Sequence, residues 1–130
     1  MKRFLIAGAL VIAGTLAASA EFHHSGKLPD GFYDCSSFSG GMIIGFGEIE
    51  IDGNTYRGPA YDQNFEGDYE YELTSEGVVL WKGPMGGLSS DGNSIASTVL
   101  SSDKAASAGF TILVKTKREN FQQIGCSLRK

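Results

Sequence analysis

EIEIDGNTYRG, residues 48–58, sets Glu48, Glu50 and Asp52 on one side of an extended chain and Ile49 and Ile51 on the other. A period of two is the mark of a strand with one wet face and one buried face. Asp52-Gly53 is a tight-turn pair, so NTYRG is expected to return beside the first arm as a hairpin. Working outward, YEYELT repeats the alternation, with Tyr69, Tyr71 and Leu73 opposite Glu70 and Glu72. Glu76-Gly77 interrupts it, and VVLW resumes it as another arm. SIASTVL (94–100) and FTILVKTK (110–117) are also strand-like; in the second, Phe110, Ile112 and Val114 oppose Lys115 and Lys117. QIGCSL (123–128) puts Ile124, Cys126 and Leu128 on one face.

With GFYDCSS (31–37) and GMIIGFG (41–47), these segments predict an all-β chain. Its architecture is expected to be a small antiparallel β-barrel or sandwich of roughly seven to eight short strands. Helix signals are poor: SSDKAASAG, where Ser102 or Asp103 would cap one turn, is a connector at most. The 18 glycines have local meaning at one place, since Gly40, Gly41, Gly45 and Gly47 crowd a single strand candidate. There Ile44 and Phe46 fall out of step with Ile49 and Ile51. A bulge or sharp bend near Gly45 to Gly47 reconciles the two halves. GPMGG (83–87) lacks the lysine and spacing of a phosphate loop and reads as a flexible connection.

The N-terminus carries a different kind of signal. Lys2 and Arg3 precede an uncharged, mostly apolar run from Phe4 to Ala18, and Ala18-Ser19-Ala20 fits a secretory cleavage site. The run is shorter than the roughly 20 apolar residues that a membrane-spanning helix needs. Residues 1–20 are therefore expected to be a signal peptide, 21–30 a flexible N-terminal segment and 31–130 a single β domain, with the protein periplasmic or secreted. Cleavage would remove two basic residues and no acid, making the formal charge of −4 more negative still. An acidic chain of this kind argues against nucleic acid, whose phosphates need clustered cations, and against a purely electrostatic hold on an anionic membrane.

Cys35 and Cys126 are the only cysteines. In an oxidising compartment one pair reads most simply as one disulfide, here tying the first strand to the last. Free redox cysteines or a shared metal site would be the alternatives, but the CxxC spacing typical of both is missing.

Candidate chemistry is sparse. Cleavage after Ala20 exposes Glu21-Phe22-His23, and an α-amine with histidine in third place can wrap Cu²⁺ or Ni²⁺ in a square-planar nitrogen field. His24 offers a further imidazole. Such a motif arises by chance in many chains, and a solvated terminus is the plainer reading. There is no other histidine, so a serine hydrolase would have to place its base on that tail. Glu48, Glu50, Asp62, Glu66, Glu70 and Glu72 could furnish a carboxylate pair, yet four of them lie on polar strand faces. The loops SSDGNS and DQNFEGD lack the ligand count of a calcium site.

Aromatic residues gather in the middle third. Tyr56, Tyr61, Phe65 and Trp81 are the binding-surface candidates; core packing is the plainer reading of the group, with Tyr71 and Trp81 on the apolar side of their strands, whereas Tyr61 and Phe65 lie in the loop GPAYDQNFEG where no strand pattern buries them. In general form only, many hairpins joined end to end by a disulfide resemble very small calycin-like barrels; with so few residues a filled interior is expected, leaving binding to loops and rims. The favoured class is a non-enzymatic binding protein, either for a small ligand or, inhibitor-like, for a protein partner met by a loop. An envelope structural or assembly protein acting through a sheet edge or face is the alternative. Copper or nickel binding and a small carboxylate hydrolase rank below both. The exported protein is expected to have an intact mass that begins at Glu21 and falls two hydrogens short of the reduced chain; a mass beginning at Met1 would remove the copper site.

Overall fold

The computed structural model describes residues 26–39, 41–60, 67–102, 104 and 107–129. The expected signal peptide, His23 and His24 lie outside the described residues, as do Tyr61 and Phe65. Eight antiparallel strands form a nearly closed barrel: β1 (Gly31–Ser39), β2 (Met42–Asp52), β3 (Thr55–Ala60), β4 (Tyr69–Leu73), β5 (Val79–Trp81), β6 (Ser94–Ser102), β7 (Gly109–Lys115) and β8 (Phe121–Leu128). The order around the sheet is β5-β4-β3-β2-β1-β8-β7-β6. Each strand thus lies beside its neighbour in the chain, and β8 returns to pair with β1.

The alternation that predicts the strands also fills the barrel. Tyr33 and Cys35 of β1, Ile49 and Ile51 of β2, Tyr56 of β3, and Tyr71 and Leu73 of β4 are buried. Leu100, Phe110, Ile112, Val114, Ile124 and Cys126 complete the core from β6, β7 and β8. Cys35 and Cys126 stand directly opposite each other in the β1–β8 register and are disulfide-bonded, 91 residues apart in sequence. The expected link between first and last strands is therefore present.

The seam between β5 and β6 is the thin part of the wall. One bridge joins Val78 to Val99, and Leu100 N donates to Gly77 O at 2.8 Å. From within, Trp81 Nε1 donates to Thr98 Oγ1 at 2.7 Å, a buried partner that satisfies both groups.

One end of the barrel is shut. Leu28 is buried there, and its amide donates to Tyr71 Oη at 2.8 Å. Tyr71 Oη in turn donates to Gly53 O, and Tyr33 Oη donates to Pro29 O. Asp30 Oδ1 accepts from Gly53 N, so residues 28–30 are stitched across the β2–β3 turn as a plug.

The break in parity at GMIIGFG has the expected cause. The β1–β2 register runs Cys35↔Gly47 and then Ser36↔Gly45, which leaves Phe46 as the extra residue of a bulge. Gly47 takes a φ of +93°, and a Cβ on it would lie 2.5 Å from Ala60 O, so only glycine fits. GPMGG departs from its reading as a flexible connection. Met85 and Leu88 are buried in the barrel mouth, and Gly86–Ser89 forms a short 3-10 turn.

Replacing both cysteines with serine (Cys35→Ser with Cys126→Ser) is expected to lower stability by about 4 kcal/mol, because the link closes a long loop in the unfolded chain. Urea unfolding of the two proteins measures this, and a loss below about 1 kcal/mol would show that strand pairing alone holds the ends together.

Candidate functional site

Opposite the plug, the barrel opens. The strand-end loops there surround a cavity of about 710 Å³. Phe46 and Val114 reach it from the walls, and Tyr69 from the start of β4. The β5–β6 connection supplies Pro84, Gly86, Leu88 and Asn93. The bulge explains Phe46, since the extra residue turns a side chain that strict alternation would send elsewhere. Tyr69 owes its place to Gly83: a Cβ on Gly83 would come within 2.5 Å of the tyrosine ring, and its absence lets ring and backbone meet.

The wall formed by the β5–β6 connection is held from below. Tyr56 Oη donates to Pro84 O at 3.1 Å and accepts from Gly83 N at 3.0 Å. Met85 N donates to Ser89 Oγ, and Asn93 Nδ2 donates to Gly87 O. These bonds make a rim from a segment that is rich in glycine and poor in regular structure.

Beneath the cavity the barrel is filled by aromatic rings. Tyr69, Tyr56, Trp81, Phe110 and Tyr33 follow one another at centroid separations of 6.0, 4.8, 5.4 and 5.2 Å. Offset and edge-on rings at such distances attract each other beyond simple burial. Two of the residues picked out for a binding surface, Tyr56 and Trp81, are thus internal: Tyr56 is buried, and Trp81 packs against the core with its indole N–H committed to Thr98. Of the described aromatics, Tyr69 and Phe46 are the ones that reach the cavity. Alternation alone does not show this, because Tyr69, Tyr71 and Leu73 share a parity and only height in the barrel separates them.

Of the carboxylates considered for hydrolysis, Asp62 and Glu66 lie outside the described residues, and Glu48, Glu50, Glu70 and Glu72 do not line the cavity. Glu50 pairs with Arg57, Glu48 with Arg129, and Glu72 with Lys82 at 3.4 Å, all on the outside of the wall. Among the described residues no acidic or basic side chain lines the cavity, and none of them form a group of three metal-ligating side chains. No described helix is long and apolar enough to cross a membrane.

No family model matches this chain, and neither does any curated protein or solved structure.

The buried tyrosines give the barrel an alkaline limit. Burial pushes the phenols of Tyr33, Tyr56 and Tyr71 above the ordinary value of 10.0. A hydrogen bond donated by the Gly83 amide partly offsets this at Tyr56, and one from Leu28 does so at Tyr71. The folded state therefore keeps protons that the unfolded chain releases near pH 10. Stability is fully present below about pH 10 and falls as the pH rises further. Urea midpoints are expected to be flat through neutral pH and to drop above this point, and Tyr33→Phe should reduce the slope there by about one proton.

Proposed function

We propose that this chain is an exported, non-enzymatic binding protein of the periplasm or medium. In this reading the open end of the barrel holds a small, uncharged, partly apolar molecule. The observation that carries it is the cavity of about 710 Å³ with no ionisable side chain in its described lining except the Tyr69 phenol. Its volume falls within the roughly 300–1,000 Å³ of small-molecule sites, which are mostly apolar with a few polar groups fixing orientation. Asn93, Ser90 and Gln122 supply such groups beside Phe46, Leu88 and Val114. A charged ligand would give up its hydration with no countercharge in the described lining to replace it. The disulfide and the lack of a membrane-crossing helix among the described residues are consistent with export. The pairing of Glu48, Glu50 and Glu72 with cations on the outer wall supports binding over carboxylate catalysis.

Gly87 offers a clean test. It lines the cavity, and a Cβ there meets nothing within 4 Å, so a large side chain can enter the space without disturbing the fold. Gly87→Phe is expected to weaken binding of the neutral probe Nile red by about tenfold or more while leaving the urea midpoint unchanged, as loss of an apolar pocket predicts. Equal binding by both proteins would place the probe elsewhere and remove the support for this reading.

A further inference from the structure

The bulge at Phe46 also divides the β1–β2 hairpin into two parts with different surroundings. Below it, β1 pairs with β8 on one side and β2 on the other. The register with β8 ends at Ser36↔Gly125, while the pairing with β2 continues to Ser39↔Met42. The upper hairpin is a two-stranded ribbon standing at the open end. Beside its serines it carries four side chains that a soluble surface usually avoids. Phe38 and Ile43, paired across one face, are each 74% exposed, and Met42 on the other face is 67% exposed. Ile44, on the same face as Met42, is 42% exposed. No charged residue occurs between Asp34 and Glu48, so the ribbon carries none.

The next strand over contributes to the same end. β8 begins with Phe121, 61% exposed and paired with Lys115 across the β7–β8 hairpin. Lys115, Lys117 and Arg118 gather within four positions at that turn. Like Lys27 and Lys104 they form no ion pair with a described residue, whereas Arg57, Lys82 and Arg129 are paired. Two acids are close in sequence or space: Glu119 in the turn, and Asp91 beside Gly92, which lies against Lys117. Of the other described acids, Asp30 and Asp52 lie at the plug and Glu48, Glu50, Glu70 and Glu72 along the strands, while Asp68, beside the cavity-lining Gly67 at the open end, is paired with Arg57; Asp62 and Glu66 lie outside the described residues.

We propose that the open end docks on the surface of an anionic lipid bilayer. The ribbon of Phe38, Met42, Ile43 and Ile44 enters the interface with Phe121, and Lys115, Lys117 and Arg118 meet the lipid phosphates. Two features favour lipid over a protein partner. A protein surface laid against the ribbon would cover one face, but exposed apolar side chains stand on both, Phe38 and Ile43 on one and Met42 on the other, and lipid surrounds an inserted element on every side. The uncommitted cations beside the apolar group also match the interfacial pattern, in which apolar insertion and attraction to anionic headgroups add. Such docking is shallow, so backbone groups at the ribbon edges remain within reach of headgroups and water.

The test is flotation of the mature, disulfide-bonded chain with vesicles of phosphatidylcholine alone or mixed equally with phosphatidylglycerol. Binding to the mixed vesicles is expected, weakened by added salt. Exchanging Lys115, Lys117 and Arg118 together for glutamine should weaken it by about a hundredfold, at roughly fivefold per cation. Phe38→Ser with Ile43→Ser should lower it by about tenfold or more, with near-ultraviolet circular dichroism and Nile red binding unchanged. Failure of the unaltered chain to float with the mixed vesicles overturns the proposal. So does equal flotation of the Phe38/Ile43 variant, or binding indifferent to salt. A vesicle-free dimer of the unaltered chain that becomes monomeric in the same variant would assign the ribbon to a second copy and also overturn it.

Discussion

The pairing of β1 with β8 is the constraint on which the rest of the molecule depends. Every other contact between neighbouring strands joins segments that follow one another in the chain, so each closes a short loop. The β1–β8 contact brings together residues 91 apart, and its closure entropy is the largest of any strand pair. Four register pairs and the disulfide offset that loss together. Without them the meander would be an open sheet with two edges. Tyr33, Phe110 and Trp81, which now stack across the interior, would lose the enclosure that keeps them from water.

Once the ring is closed, the large side chains decide where space remains. Aromatic rings occupy the barrel from Tyr33 up to Tyr69, and Leu28 seals the plugged end, so a ligand has no room in the middle. Among the described residues, space is left where Gly58, Gly67, Gly86 and Gly87 meet Pro59 and Pro84 at the mouth. The same bulge that sends Phe46 to this mouth frees the upper β1–β2 ribbon from β8. Open cavity and apolar ribbon are thus two results of one inserted residue, held in place by a glycine at position 47 that cannot be exchanged without a clash against Ala60.

Much of the wall was legible from residue order. EIEID, YEYEL and FTILV show their buried faces by parity, and the out-of-step Ile44 and Phe46 announce the bulge. The Cys35–Cys126 link follows from there being one pair in a chain of this kind. The mouth was not legible, for a physical reason: it is built from residues that lack side chains or regular periodicity, and alternation says nothing about an empty volume. Burial of Met85 and Leu88 in GPMGGLSS was hidden for the same cause. For Tyr56 and Trp81 residue order left core and surface both open, with the core favoured, and their polar atoms find partners inside, at Pro84 and Thr98. Parity places Ile43 and Ile44 on opposite faces without showing that the barrel ends beneath them, leaving Phe38, Met42 and Ile43 largely exposed.

Strand order follows chain order all the way round the barrel, apart from the return of β8 to β1. Topologically the domain is a ring that has been cut once, at its termini, and the disulfide reseals that cut. A gene rearranged to join the two ends and begin within the β5–β6 connection would still encode the same cyclic neighbour list. In such a permutant Cys35 and Cys126 would sit in adjacent hairpin arms, and the thin Val78–Val99 seam would inherit the task of holding distant ends together.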